Sequence, residues 1–362
     1  MNFNLLFKKA KEAGIEDLQI YFAKNNEFEI EVFKGELEKY TISDSASLSV
    51  KGIYDSKMGT VSTEVINDEV IDFIIDSVIA SAKTIDSEDE VFIYEGDKEY
   101  TVVEGLLNPE LDQVEAKRKI EDTLALEKSV LSKDERIRMV QAFYGQSTSN
   151  VLIQNSKGLK LEKESNNAVY GVYVIASDGK DQRTGVEYEQ SNIYEDFDLE
   201  KIAKQGAEKA VAMLGATPCD SGDYEILLLN SASSSLLGPH LGMFSAESVQ
   251  KDVSLLKGKV GTKIASDLIT IVDDPFMKKS TKSGSFDDEG VATQYKELVK
   301  DGKLTGYLHN LKTAKKDNTR STGNGFGRIA PTNFYIKPGE LSYDDAVKSM
   351  KKGLVITDLA GT

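Results

Sequence analysis

The chain has 362 residues, of which 40% are hydrophobic and 29% are charged. These values are typical of a soluble globular protein, and the length allows about two domains. Sixty acidic and 44 basic residues give a net charge of −16, so we expect no direct binding to nucleic-acid phosphates. No stretch reaches the ~18 consecutive apolar residues that cross a bilayer, and a signal-peptide pattern is missing. We therefore expect a cytoplasmic protein that does not enter a membrane.

The first part of the chain predicts a helix, a set of strands and a second helix. Apolar residues at helical spacing from Phe3 to Ala10 predict a helix that ends at Gly14. Alternating apolar and polar residues then predict four strands, in the stretches DLQIYFA, EFEIEVFKGELEKYTIS, ASLSVKGIY and GTVSTE. An apolar stripe predicts a helix over residues 67–83.

The same order of elements returns later in the chain. A helix is expected over residues 111–131, then four strands, then a helix over 198–214 with Asp198 as its N-cap. The turns FKGEL and SKGLK occupy equivalent places in the two copies. We predict an α+β fold whose N-terminal domain, residues 1–216, is a duplicated helix–four-strand–helix unit with copies at about 1–84 and 110–215.

Residues 86–109, between the copies, are acidic and irregular and indicate a connecting arm. The near-continuous apolar run YEILLLN predicts a strand buried on both faces. It opens a second, β-rich domain over residues 217–362. Cys219, the lone cysteine, excludes an intrachain disulfide and a cysteine-rich zinc site. It has no nearby histidine to activate it, so we interpret it as a linker residue.

His240 is one of two histidines in the chain and lies in SSLLGPHLGMFSAESVQ, where a helix is expected to begin. Zinc peptidases built on a helix carry two histidines on one face and a glutamate as general base. Here Leu241 follows the histidine, and the second histidine, His309, is far away. Glu247 would share a face with His240 only if the helix continued for two turns. We expect no metal site at this position.

Two further stretches carry candidate binding residues. The acids of SGSFDDEGVAT, Asp287 to Glu289 before Gly290, could hold a hard cation only in a loop; a solvated or capping turn is the simpler interpretation. IVDDP is interpreted as a turn because an acidic pair before a proline most easily forms one. The glycine-rich stretch NTRSTGNGFGR is interpreted as a structural loop, although its backbone amides could still line a groove for an extended peptide. The candidate peptide- or partner-binding residues are His240, Asp287, Asp288, Glu289, Gly290, Gly323, Asn324, Gly325 and Arg328.

The order of these motifs resembles the TldD/PmbA family, which is also known as modulators of DNA gyrase or as metallopeptidases. The resemblance spans the chain and rests on FKGELEKY, ASLSVKGIY, LLKGKVGTKIASDLITIVDDP, SGSFDDEGVAT, DGKLTGYLHNLKTAKK, STGNGFGR and NFYIKPGELSYDDAVKSMKKGLVITDLAGT. It implies a two-domain α+β architecture and a heterodimer of related subunits. In that heterodimer the TldD-like subunit carries His-Glu-x-x-x-His and zinc, and the PmbA- or TldE-like subunit lacks the motif.

The position expected for that motif, residues 237–242, reads LGPHLG and lacks a His-Glu pair. The resemblance therefore implies a non-catalytic PmbA/TldE-like partner of a zinc-bearing, peptide-cleaving subunit, with no cofactor of its own. Two alternatives stay open: a self-sufficient metal-dependent peptidase with an atypical site, and a regulatory protein-binding module. Since relatives continue for several strands, we also expect the chain to be truncated after GLVITDLAGT, with an unpaired sheet edge exposed.

Overall fold

The computed structural model describes residues 1–86 and 90–359, which form two compact units. The first unit comprises Met1–Glu95 and Glu104–Pro218, and the second comprises Gly96–Val103 and the chain from Cys219 onward. Helices and antiparallel strands occur in both units, as the α+β prediction requires. Within the described residues no helix is long and apolar enough to span a membrane.

The first repeat has the predicted helices but three strands instead of four. Its elements are α1 (Phe3–Glu12), β1 (Leu18–Phe33), β2 (Glu36–Tyr54), β3 (Lys57–Thr63) and α2 (Ile71–Thr84). The Asn2 side chain caps α1 by accepting from the amide of Leu5, and Gly14 leaves the helix with a φ of +90°. Both the start and the end predicted for this helix are confirmed.

The second repeat has the same element order after a short additional helix. Its elements are α3 (Pro109–Gln113), α4 (Ala116–Leu131), β4 (Ile137–Asn155), β5 (Lys160–Ser177), β6 (Gln182–Ser191) and α5 (Leu199–Ala212). Asp198 caps α5 by accepting from the amide of Lys201, as predicted. The single helix predicted over 111–131 is wrong, because Val114 and Glu115 are extended and divide it.

Strand length explains the wrong strand count in both repeats. The polar stretch around Asn25, between DLQIYFA and EFEIEVFKGELEKYTIS, predicts a break between two strands. In the structure it stays extended because Asn25 pairs with Ser45 of β2 on one side and Ser149 of β4 on the other. Continuous pairing therefore joins the two predicted strands into one.

One antiparallel sheet unites the repeats, in the strand order β3-β2-β1-β4-β5-β6. The first strands of the two repeats pair in the middle, from Gln19 opposite Asn155 to Phe33 opposite Gln141. All four long helices pack on one face of the sheet. One core cluster contains buried residues of α1, α2, β1 and β2, and another contains those of α4, α5, β4 and β5.

Equivalent glycines allow the last helix of each repeat to approach the sheet. A Cβ on Gly59 of β3 would collide with the carbonyl of Val78 in α2. A Cβ on Gly185 of β6 would lie 2.5 Å from the amide nitrogen of Ala210 in α5. The two repeats thus use the same backbone-to-backbone contact.

The segment between the repeats is irregular in its described part, and residues 87–89 lie outside the described residues. Ile93 is nevertheless buried, and the Tyr94 carbonyl accepts a hydrogen bond from Asn155 of the first unit. Gly96–Val103 belong to the second unit. There the Tyr100 hydroxyl donates to the carbonyl of Gly290 at 2.8 Å. The predicted arm therefore contributes residues to both units.

The second unit is built from short elements around a small core. They are β7 (Glu225–Leu228), α6 (Asn230–Leu237), α7 (Ala246–Gln250), β8 (Ile271–Asp273), β9 (Lys296–Lys300), β10 (Lys303–Leu304), α8 (Leu311–Lys316), β11 (Gly325–Phe326), β12 (Arg328–Ile329), β13 (Phe334–Ile336), α9 (Tyr343–Ser349) and β14 (Gly353–Ile356). Strands β10-β9-β8-β13 form one sheet, and β11 with β12 and β14 with β7 form two-stranded sheets.

The strand in YEILLLN is present, but its predicted burial on both faces is wrong. In the described structure β7 pairs with β14 alone, and Ile226 is 53% exposed. The strand predicted in GLVITDLAGT is β14, whereas the glycine turn expected after it, at Gly361, lies outside the described residues. Cys219 is exposed and forms no disulfide in the described part of the chain.

Candidate functional site: the motif cluster of the second unit

The FDDEG and STGN motifs, which are separate in sequence, contact each other in the second unit. The Asp287 Oδ2 atom accepts a hydrogen bond from the amide of Gly325 at 2.8 Å. The amide of Asp288 donates in return to the Gly325 carbonyl at 3.1 Å. We call the group formed by these two loops and the residues that hold them the motif cluster.

Asp287 is the centre of this contact. Its Oδ1 atom accepts from the amides of Glu289 at 3.0 Å and Val291 at 2.9 Å, so the carboxyl group holds three backbone amides. The residue is 1% exposed. Burial raises the pKa of the Asp287 carboxyl to about 7, against the opposing effect of its amide hydrogen bonds. The acids lie in a loop, as a solvated or capping turn requires; Asp287 is buried and caps backbone amides of that turn, so only the solvated form is wrong at this residue.

Two glycines of STGNG are required by close packing against the FDDEG loop. Gly323 has a φ of +68°, and a Cβ there would collide with the carbonyl of Ala292. A Cβ on Gly325 would lie 2.6 Å from the Glu289 carboxylate. Glycine is therefore needed at these positions for conformation and for space.

Glu289 connects the cluster to helix α8. Its Oε2 atom accepts from the amide of Leu311, the first residue of the helix, at 2.7 Å. Asn310 and Thr313 add a reciprocal capping box at the same end. Two of the three adjacent acids, Asp287 and Glu289, therefore use their carboxylates to hold backbone amides.

A buried ion pair lies beneath the glycine loop. Asp273 is fully buried, and its Oδ2 atom lies 3.1 Å from Lys296 Nζ and accepts from Asn324 Nδ2 at 2.8 Å. Its Oδ1 atom accepts from the amide and the hydroxyl of Thr332. Burial lowers the pKa of Lys296, and the Asp273 carboxylate opposes that shift. The turn predicted for IVDDP is therefore wrong at Asp273, which ends strand β8 inside the core.

His309, which the sequence does not single out as a site residue, belongs to the motif cluster. Its backbone amide donates to the Thr322 hydroxyl at 2.8 Å, and its carbonyl accepts from Thr322 and Ser321. The residue is 7% exposed, and no described residue makes a hydrogen bond with its Nδ1 atom. Burial lowers the pKa of this imidazole. Its rarity in the sequence was the one signal that could have singled it out.

Three models of one protein family match successive parts of the chain. Residues 18–82 match PmbA/TldA metallopeptidase domain 1, residues 109–214 the central domain, and residues 221–362 the C-terminal domain. The chain belongs to the PmbA/TldD metallopeptidase family. The resemblance inferred from the motifs is confirmed.

Relatives of this PmbA/TldD family member include proteins from archaea and bacteria. A Methanocaldococcus jannaschii protein described as a metalloprotease is 24% identical across all of this chain and 82% of its own length. The crystal structure of a candidate modulator of a DNA gyrase from Thermotoga maritima has a TM-score of 0.91 and 34% identity, covering 99% of this chain and 82% of that one. TldE from Thermococcus kodakarensis, at 24% identity and a TM-score of 0.91, covers 99% and 83% and shares the fold.

His240 is held by a local backbone contact outside the motif cluster. It lies in a 3₁₀ turn, Gly238–Phe244, is exposed, and places Nδ1 2.8 Å from the carbonyl of Leu236. The α-helix expected to begin here is a 3₁₀ turn instead, since α6 ends at Leu237 and α7 begins only at Ala246. Pro239 accounts for the change of helix type, since it removes a backbone donor. The continuous helix that would place His240 and Glu247 on one face is therefore not formed.

The remaining predicted site residues lie around the cluster. Gly290 is buried in the FDDEG loop with a φ of +87°, Asn324 is fully buried, and Arg328 is exposed on β12. In residues 1–86 and 90–359, no group of three or more His, Cys, Asp or Glu side chains is placed to hold a metal ion. The described donors therefore do not fit a zinc centre, which needs at least three protein ligands.

Proposed function

We propose that this family member is a non-catalytic, PmbA/TldE-like subunit of a cytoplasmic metalloprotease. It would pair with a zinc-bearing TldD-like subunit, and the pair would process unfolded or extended peptides. Support comes from its family and from relatives described as metalloproteases and as TldE. A regulatory role in which it binds another protein stays the alternative.

The observation that carries the proposal is the separation of the two imidazoles. His240 is exposed in a 3₁₀ turn and points to its own backbone, whereas His309 is buried beside the glycine loop. A helical zinc site needs both histidines on one helix face. These two side chains belong to different elements, so the metal and its ligands would come with the partner.

The contribution of this chain to peptide binding would be the short hairpin of β11 and β12. Asp287 accepts a hydrogen bond from the first residue of the hairpin, Gly325, and the preceding Asn324 donates to Asp273. Gly327 and Arg328 at the tip are exposed. An exposed hairpin tip with one cationic side chain suits an extended peptide and its carboxylates.

The test is reconstitution. The purified chain alone is expected to show no chelator-sensitive peptide cleavage and no stoichiometric zinc. A mixture with the TldD-like protein of the same cell is expected to form a one-to-one complex in size-exclusion chromatography and to cleave an unfolded peptide. Robust chelator-sensitive cleavage by the chain alone would overturn the proposal and support the self-sufficient peptidase.

A matched pair of variants tests the hairpin within the reconstituted enzyme. Arg328→Ala is expected to raise KM about five- to tenfold through loss of a charge-assisted contact. Arg320→Ala, exposed and outside the hairpin, is the control and should match the unmodified chain. Equal KM values for the two variants would remove the hairpin from the site without affecting the subunit assignment.

A further inference from the structure

A pocket of about 290 Å³ lies on the sheet of the first unit, on the face opposite the helices. Its lining includes Glu29 and Glu31 of β1, Gln141 and Phe143 of β4, and Val169 and Tyr173 of β5. These side chains share one face because Glu31 pairs with Phe143 and Gln141 pairs with Tyr173 across the ladders. Ile30 and Tyr144 of the buried core also line the pocket, whereas no residue of the motif cluster does.

One wall of the pocket is a pair of aromatic rings. The centroids of Phe143 and Tyr173 are 5.5 Å apart with 35° between the planes. The Phe143 ring lies over Gly171, where any Cβ would collide with it. Tyr173 is 52% exposed. The sheet therefore presents an open aromatic surface that a planar group can stack on.

The opposite wall carries two carboxylates. The Lys39 ammonium lies 2.6 Å from Glu29 and 3.3 Å from Glu31, and Gln141 donates to the second Glu31 oxygen at 2.7 Å. Two carboxylates and one ammonium leave one negative charge in this group. The side chains of Glu29 and Glu31 are 47% and 31% exposed, so a cationic ligand can reach the acidic wall from solvent.

We propose that this pocket binds the arginine side chain of an extended peptide. A guanidinium is planar and stacks on aromatic rings while its N–H groups donate to a carboxylate; a lysine ammonium does not combine these contacts. Exposed apolar residues on the same face continue past the pocket, with Val186 and Tyr188 of β6 opposite Tyr173 and Gly171. They would cover the peptide residues next to the arginine.

The proposal needs no partner subunit and goes beyond the proposed function. Calorimetric titration of the purified chain uses an acetylated and amidated hexapeptide whose only charged residue is a central arginine, and versions with citrulline or lysine in its place. The arginine peptide is expected to bind about tenfold more tightly than the citrulline peptide. Equal binding of citrulline, or of lysine, would overturn the assignment, as would equally tight binding of free N-acetylarginine amide.

Variants locate the binding. Glu29→Gln and Tyr173→Leu are each expected to weaken the arginine peptide about five- to tenfold and to leave the citrulline peptide unchanged. Glu27→Gln, an exposed acid on the same face of β1 outside the pocket lining, is the matched control. Thermal unfolding of each variant shows that the fold is retained. Unchanged arginine binding in both pocket variants would place the ligand elsewhere and sink the proposal.

Discussion

The carboxyl group of Asp287 accepts hydrogen bonds from three backbone amides, and the residue is 1% exposed. Its pKa is about 7 in the folded chain because burial disfavours the charge, against 3.8 for the free side chain. Between these two pH values the folded state keeps a proton that the unfolded state has lost. The stabilisation by this group is therefore complete at low pH and is lost as the pH rises through about 7.

Asp287→Asn is expected to lower the free energy of unfolding by about 1–3 kcal/mol at pH 5, because an amide group cannot accept all three hydrogen bonds. The loss should be smaller at pH 8, where the native carboxyl is charged and disfavoured. Urea unfolding at both pH values measures the difference. Asp223→Asn, an exposed acid of the same unit, should show no such change; a larger loss at pH 8 would mean that Asp287 is charged throughout.

Lys296 and Lys300 lie on the same strand and offer a matched pair. Lys296 pairs with the fully buried Asp273, whereas Lys300 pairs with Glu297 and its side chain is 61% exposed. Lys296→Met is expected to cost about 3 kcal/mol because it leaves a buried carboxylate without its cation. Lys300→Met should cost under about 1 kcal/mol. Chemical denaturation checks both, and equal losses would show that the buried pair adds nothing specific.

At the scale of elements, the two repeats make the same strand-to-helix contact through Gly59 and Gly185. Gly59→Ala and Gly185→Ala are each expected to destabilise the first unit by about 1–3 kcal/mol, because a methyl group would push α2 or α5 off the sheet. Gly145→Ala is the control, since its methyl group would meet a Val169 side-chain carbon at 3.2 Å. Thermal unfolding measures all three variants; a Gly185→Ala protein as stable as the control would contradict the equivalence of the repeats.

Helices were predictable from sequence because apolar stripes and caps are local signals. Gly14 and Asp198 act where the pattern placed them. The strand count was not predictable, since the polar residues around Asn25 signal a break when read along the chain. Their extended conformation depends on partners in β2 and β4 that the local sequence does not contain.

For the whole molecule, the sequence identified the family motifs but did not predict how they fit together. FDDEG and STGN each looked like an ordinary loop, and their mutual contact depends on the folded second unit. The burial of Asp273 was not predicted, because Asp274 and Pro275 directly after it indicate an exposed turn. Lys296 and Thr332, which complete its environment, belong to no recognisable pattern. Such polar side chains form a hydrogen-bonded network only after tertiary packing has brought them together and excluded solvent from around them.

The central pairing of β1 with β4 has a consequence for biosynthesis. β1 leaves the ribosome long before β4, so one whole side of its backbone has no partner while the second repeat is still being translated. The unpaired N–H and C=O groups along an edge strand of this length can pair with strands of other chains, which leads to aggregation. A nascent first repeat would therefore depend on shielding by a chaperone until the residues up to Asn155 have emerged from the exit tunnel.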